Sequence, residues 1–322
     1  MRGYLDDFSD TYPWMFDRIR ALSHPHIIKL LFWVRREEKG SSLDTLYTFF
    51  PFADYGSLEE LWELDDSKPR SPELLLWTLQ QITGLADGLR VFHQANGTLD
   101  GICSTTILRF CEPGEVGGFG RLVIAGIAPG RRGVYMPTTW NRGSDRQAAE
   151  RKYDVLRPDS EAERQYRMWD VWSMGLTFLE FMLWLLHGMD TVKRFRRFRK
   201  QLRSDSDGGT LGLPHTTGGG TLDIPHTMLG DMFDASEALS LVLLDVLKDS
   251  PQFSKSTAWR DILSFLIERV FVKKEDRCNA EELHSSLQKI CVATEKDVSY
   301  FYIAAPEDHS GGQPLHSLRF GA

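Results

Sequence analysis

Four kinds of side chain in this sequence could carry chemistry: histidines, cysteines, one acid isolated in an apolar run, and a run of cations. His24 and His26 are the closest of the nine histidines, and His215 and His226 fall in or near a glycine-rich stretch. Imidazoles hold zinc when their spacing brings several to one ion, as in H-E-x-x-H, and no such spacing occurs. They read as surface or capping residues, and no metal is expected. The cysteines at 103, 111, 278 and 291 form no C-x-x-C pair. They are too sparse for a disulfide framework, which predicts a reducing, intracellular location, cytoplasmic or nuclear. Glu180 stands alone between Met174 and His187, a setting for a perturbed acid or, the simpler expectation, a buried ion pair. Lys193 to Arg203 concentrates cations around Phe195 and Phe198. It offers a solvated helix face or an anion-binding surface for an acidic partner, lipid head groups or RNA, weakened by salt. No nucleophile elbow, Walker loop or zinc-ligand set is present.

These groups must be positioned by a chain of 322 residues, 42% hydrophobic and 26% charged. That predicts about two domains, or one large two-lobed unit. A net charge of -7 gives no global attraction for nucleic acid or anionic lipid, so no specific nucleic-acid partner is expected. The N-terminal residues hold no apolar run, so no signal peptide is expected. Met174 to His187 is about 14 residues, short of the roughly 20 that a membrane span needs, and predicts a buried core helix.

Residues 1–66 read as mixed. Phe16, Ile19 and Leu22 recur at helical spacing up to His24-Pro25, and strands are expected over 27–33 and 46–52. Ser71-Pro72-Glu73 is a helix start, and Leu75, Leu79, Ile82, Ala86 and Leu89 continue one face to about Phe92. Two short strands, 107–110 and 121–125, flank a glycine-rich turn. A polar stretch over 129–160 reads as a loop. Helices are expected over 168–188, 235–247, 258–271 and 279–291, the last with the capping box Asn279 and Glu282. A Gly/Ser/Thr-rich insert, 204–222, reads as mobile and the tail after about 305 as disordered.

In the right order, several segments resemble a protein kinase, in particular the kinase-like proteins common in filamentous fungi. His24-Pro25-His26-Ile27-Ile28 is similar to the end of the small-lobe helix and the strand after it. Phe49-Phe50-Pro51-Phe52-Ala53 is similar to the hinge between lobes. Asp170-Val171-Trp172-Ser173-Met174-Gly175 is similar to the central helix of the large lobe, whose aspartate ties down the catalytic loop. Asp276-Arg277 resembles the closing arginine segment. The resemblance runs from about Phe16 to Ile290. It implies an α+β, two-lobed kinase-like fold: an incomplete small lobe at 1–66, a mainly helical large lobe at 67–295 with the insert, and a tail at 296–322.

What the resemblance implies for chemistry follows position by position. Anchoring on Ile107-Leu108 puts Thr106 at the metal-binding Asn, Gly101 at the catalytic base and Cys103 at the loop Lys. Gly126-Ile127-Ala128 stands for the metal-binding Asp-Phe-Gly. Phosphoryl transfer needs those groups, and glycine offers no oxygen to a proton or a cation. Asp100 is the rescue candidate for the base; its plainer reading is a turn residue, and an acid there would repel an activating phosphate. About ten residues precede the first helix, so the glycine-rich loop and phosphate-holding Lys are missing, and Met15 replaces the Glu that pairs with that Lys. The adenine slot would be lined by Phe50, Phe52, Ala53 and Leu108. The structural residues kept are Asp170, Asp159 and Arg277, with Ile19, Leu30, Leu99 and Ile127 as an apolar column.

The expected function is therefore a catalytically inactive, pseudokinase-like scaffold needing no cofactor. The alternative is an ATP- and magnesium-dependent Ser/Thr kinase, weakly active or with its N-terminal elements missing from the gene model. The strand near 46–52 lacks the neighbour a kinase would give it and is apolar. Self-association or docking of a protein partner along that edge is expected.

Overall fold

A computed structural model of the chain describes residues 19–36, 45–64, 71–95, 97, 99, 101–111, 118–125, 161–204, 211–214, 221–224, 257–272 and 275–301. Along them run β1 (Phe32–Arg36), β2 (Thr45–Phe49), α1 (Leu58–Leu64), α2 (Pro72–Gln94), β3 (Ile107–Phe110) and β4 (Arg121–Ile124). Then come α3 (Glu161–His187), α4 (Met189–Ser204), β5 (Leu211–Pro214), β6 (Thr221–Ile224), α5 (Ala258–Phe265), α6 (Ala280–Lys296) and α7 (Val298–Phe301), with a π-helical turn, Leu266–Val270, after α5. The fold is α+β: the described strands form three separate antiparallel ribbons, β1–β2, β3–β4 and β5–β6.

Helix α2 starts where the sequence says it must. The Ser71 hydroxyl accepts from the Leu74 N–H at 3.2 Å, and Pro72 fills the first turn, where its missing donor costs nothing. Leu75, Leu79, Ile82, Ala86 and Leu89 are all buried. Thr78 and Thr83 also lie on the buried side, and each returns its hydroxyl to the carbonyl four residues back at 2.8 Å, so neither leaves a donor unpaired. The helix packs chiefly against α6, which begins on the expected capping box: Glu282 N–H donates to Asn279 at 2.9 Å, and Asn279 N–H to Glu282 at 3.3 Å.

The core surrounds helix α3 from Asp170 onward. From Asp170 to Leu185 every residue is buried, and Trp172, Phe178, Phe181 and Trp184 are within the main hydrophobic cluster. Trp62, Phe181 and Trp184 pack with ring centroids 5.6–6.3 Å apart. Gly175 is needed for a close approach: a Cβ there would lie 2.6 Å from Val270 Cγ1. No helix among the described residues is long and apolar enough to cross a membrane.

Several expected boundaries move. The strand expected over 27–33 begins at Phe32. The residues before it are held one at a time instead: Ile28 N–H donates to Ile124 O at 3.0 Å, and Ile124 N–H to His26 O at 2.9 Å. The helix expected over 258–271 ends at Phe265, where the chain widens into the π turn and Phe271 N–H reaches back five residues to Leu266 O. Helix α6 continues past Cys291 to Lys296. Beyond it α7 docks Tyr300, whose hydroxyl donates to Asp261 at 2.6 Å, so the segment expected to be tail begins as ordered helix. The insert expected over 204–222 holds β5, which pairs with β6 from Leu211↔Ile224 to Pro214↔Thr221. The expected helix at 235–247 and loop at 129–160 lie outside the described residues.

The segment before β1 is tied down by histidines. His24 Nδ1 accepts from the His26 N–H at 3.1 Å, which leaves its Nε2–H to donate to Asp87 at 3.0 Å. His26 Nδ1 donates to Leu122 O at 2.7 Å. Burial pushes His26 from 6.5 down to about 4; the Leu122 carbonyl and Asp87 work upward against burial and the nearby His24 and Arg121. Between those two values the unfolded chain takes up a proton that the folded chain refuses. Stability should therefore fall as pH falls from 6.5 to about 4, by up to about 3 kcal/mol, and be unaffected above. Urea unfolding across this range in the native chain and in His26→Gln measures it; the variant should lose most of the slope.

Candidate functional site

The loop between α2 and β3 is where the sequence places its candidate chemistry, and one buried carboxylate holds it. Asp170, on α3, is 3% exposed; its Oδ2 accepts from the Leu99 N–H at 2.9 Å and from His93 Nε2 at 2.9 Å. One oxygen thus joins the end of α2, the start of the loop and the central helix. The tether to Leu99 agrees with the expectation for Asp170. His93 was not foreseen, since a lone histidine near a helix end carries no spacing signal.

Gly101 takes φ 120°, a backbone conformation that side chains rarely adopt. Its carbonyl accepts from the Thr106 hydroxyl at 2.6 Å, and the same hydroxyl oxygen accepts from the Cys103 N–H at 3.0 Å. Thr106 therefore closes the loop on itself with its one short polar group. Cys103 is buried, its sulfur 3.1 Å from the Thr105 hydroxyl, and offers no cation. Asp100, Asp159, Gly126 and Ile127 lie outside the described residues, as does Met15. Among the described residues no group of three or more His, Cys, Asp or Glu could hold a metal ion.

Of the slot residues, Phe50, Ala53 and Leu108 are half-buried, while Phe52 stands 84% exposed. The chain after Ala53 is stitched to β3: Arg109 N–H donates to Gly56 O at 2.8 Å, and the Arg109 guanidinium to Tyr55 O at 2.8 and 3.1 Å. Ile19, Leu30 and Leu99 all belong to the main hydrophobic cluster.

A second polar cluster sits beside the loop, and only half of it was expected. Glu180 is indeed a buried acid in an ion pair: Arg196 of α4 donates to it through Nε at 3.0 Å and Nη2 at 2.7 Å. The same guanidinium grips Glu59 of α1 at 2.6 and 2.8 Å and the hydroxyl of Ser104 at 2.8 Å, while Ser104 donates to Glu59. Burial works against the charge on Glu59, but the bonds from Arg196 and Ser104 win and hold its carboxyl below the usual range. Within Lys193–Arg203 the side chains divide between core and solvent. Phe195 is buried and Arg196 turns inward, leaving Lys193, Arg194 and Arg197 as the exposed cations among its described side chains.

Arg277, 7% exposed, works differently from an ion-pair arginine. It donates to the carbonyls of Val270, Val272 and Met168 at 2.9, 2.9 and 3.1 Å and stacks over Trp172 at 4.7 Å. The end of the π turn explains the need: Val270 is its last residue, so its carbonyl has no helical donor and takes one from Arg277. No family model matches the chain, and no curated protein matches it.

Proposed function

We propose that the chain is a kinase-like protein, two-lobed in plan, that has given up phosphoryl transfer and acts as a binding scaffold. The observation that carries this is Gly101, set at φ 120° in a loop whose anchor is intact. A base there would need a side chain on a backbone that favours none, so the departure lies in the loop's path as well as in its residue types. Thr106 supports the reading, because its hydroxyl is spent on the loop itself. The buried framework (Asp170, Arg277, Ile19, Leu30 and Leu99) serves the fold and needs no nucleotide. In this reading a protein partner docks on the small ribbon, along the open edge of β2 or beside it.

An adenine slot at Phe50, Ala53 and Leu108 without phosphate-holding groups binds nucleotide weakly and takes no metal. Adenosine and ATP should therefore raise the melting temperature by similar small amounts, and adding magnesium to ATP should change nothing. A stabilisation by ATP that grows clearly with magnesium would show a metal site and support an active kinase instead.

A further inference from the structure

Helix α4 carries like charges that the fold leaves uncompensated. Seven of the eleven residues from Lys193 to Arg203 are Lys or Arg, and no acid occurs between Asp190 and Asp205. On a helix, cations three or four residues apart repel, so Lys193 and Arg194 each weaken α4 through Arg197. The core relieves one cation of the run: Arg196 turns in to Glu59 and Glu180. Lys193, Arg194 and Arg197 stay exposed, and none of them forms an ion pair among the described residues. Lys193 adds to the field that keeps Glu59 ionised, and Arg197 Nε donates to the Lys193 carbonyl at 3.4 Å. Asp190, exposed one turn earlier, is the single acid of α4 and sets one negative charge against these three positive ones.

We propose that this face docks an acidic segment of a partner protein, gripping its Asp and Glu carboxylates. The cations lie within about 100° of helix arc and about 6 Å along its axis, so a short run of acids reaches all three. Two of the three heads are guanidiniums, which match carboxylates with two parallel bonds. The chain's net charge of -7 decides between anions. An extended polyanion such as RNA, or a charged bilayer, meets the rest of this negative surface as well, whereas a short acidic segment meets the local field alone. A bilayer would also need the helix's apolar side, and Val192 and Phe195 are already buried in the core. RNA would need a stacking platform, and no aromatic side chain of α4 is exposed among the described residues. The inference needs neither the ribbon edge nor the kinase-like reading.

Fluorescence anisotropy of a labelled oligoglutamate peptide, titrated with the full chain, tests this against an oligoglutamine control. Oligoglutamate should bind and oligoglutamine should not. Raising salt to about 1 M, where the Debye length falls to about 3 Å, should weaken binding at least tenfold. Lys193→Gln, Arg194→Gln and Arg197→Gln together should do the same, with circular dichroism confirming the fold. If that variant fails to fold, Arg194→Gln with Arg197→Gln, which keeps Lys193 beside Glu59, decides. The control for net charge is Arg260→Gln, Lys289→Gln and Lys296→Gln, three exposed cations off this helix, which should bind like the native chain. Oligoglutamate that the native chain ignores, or binds as tightly after loss of the α4 cations, or loses equally in the control variant, overturns the proposal. So does tighter binding of single-stranded RNA or phosphatidylserine vesicles through the same three residues. None of these results bears on the loss of catalysis, which is judged by phosphate transfer alone.

Discussion

Arg196→Ala should lower the unfolding free energy by about 3–5 kcal/mol, the cost of stranding a buried charge without its partner. The effect is large because Glu180 is fully buried and Arg196 supplies two hydrogen bonds to it, while Glu59 and Ser104 lean on the same guanidinium. Glu59 is one-fifth exposed and can recover water when Arg196 is lost; Glu180 cannot. The remedy follows from the cause. Arg196→Met combined with Glu180→Leu removes both charges and should regain most of the lost stability. Urea unfolding of the two single variants and the pair measures this coupling. Independent, additive losses would mean that the two groups do not share one site.

Asp170→Ala should be comparably damaging, by about 2–6 kcal/mol. It strands two donors, the Leu99 N–H and the His93 ring, each worth about 1–3 kcal/mol when left buried and unpaired. Asp170→Asn should cost less, since its amide oxygen still accepts. The readout that separates a loop anchor from a general core residue is amide exchange. Leu99 N–H should lose protection under conditions where the amides of α6, distant in sequence and packed on α2, keep theirs. Uniform loss of protection would place Asp170 in the global core and not at the loop.

The helices were legible because their signals are local. Ser71-Pro72 and Asn279 with Glu282 fix two helix starts, and the apolar spacing along α2 fixes its buried face. The ribbon β3–β4 was legible for the same reason, being two short apolar runs across a glycine turn. Boundaries that depend on tertiary contact were not. The stretch from Ile27 to Leu31 is as apolar as a strand, yet isolated bonds to β4 hold it, and β1 starts at Phe32. The π turn after Phe265 has no sequence signature of its own, so Arg277 could be singled out in the sequence but not the carbonyls it serves.

At the candidate site the backbone anchor could be read and the side-chain network could not. Asp170 sits in a run of six specific residues, and the loop it holds lies at a predictable distance. Arg196 sits among cations that look alike in sequence. That it turns inward depends on Glu59 and Glu180, which are 137 and 16 residues away. The pairing of Phe32 with Phe49 was equally hidden, because alternation within each strand shows which side chains share a face but not whether the core covers it.

The proposed loss of phosphoryl transfer is tested most directly by transfer of labelled phosphate from ATP, with magnesium, to the chain itself and to generic protein substrates. No transfer above that of the solvent reaction is expected, for the native chain and for Asp100→Ala alike, since a base, metal ligands and phosphate clamp together supply most of a kinase's rate. Magnesium-dependent transfer by the native chain that disappears in Asp100→Ala would contradict it, and would make Asp100 the base.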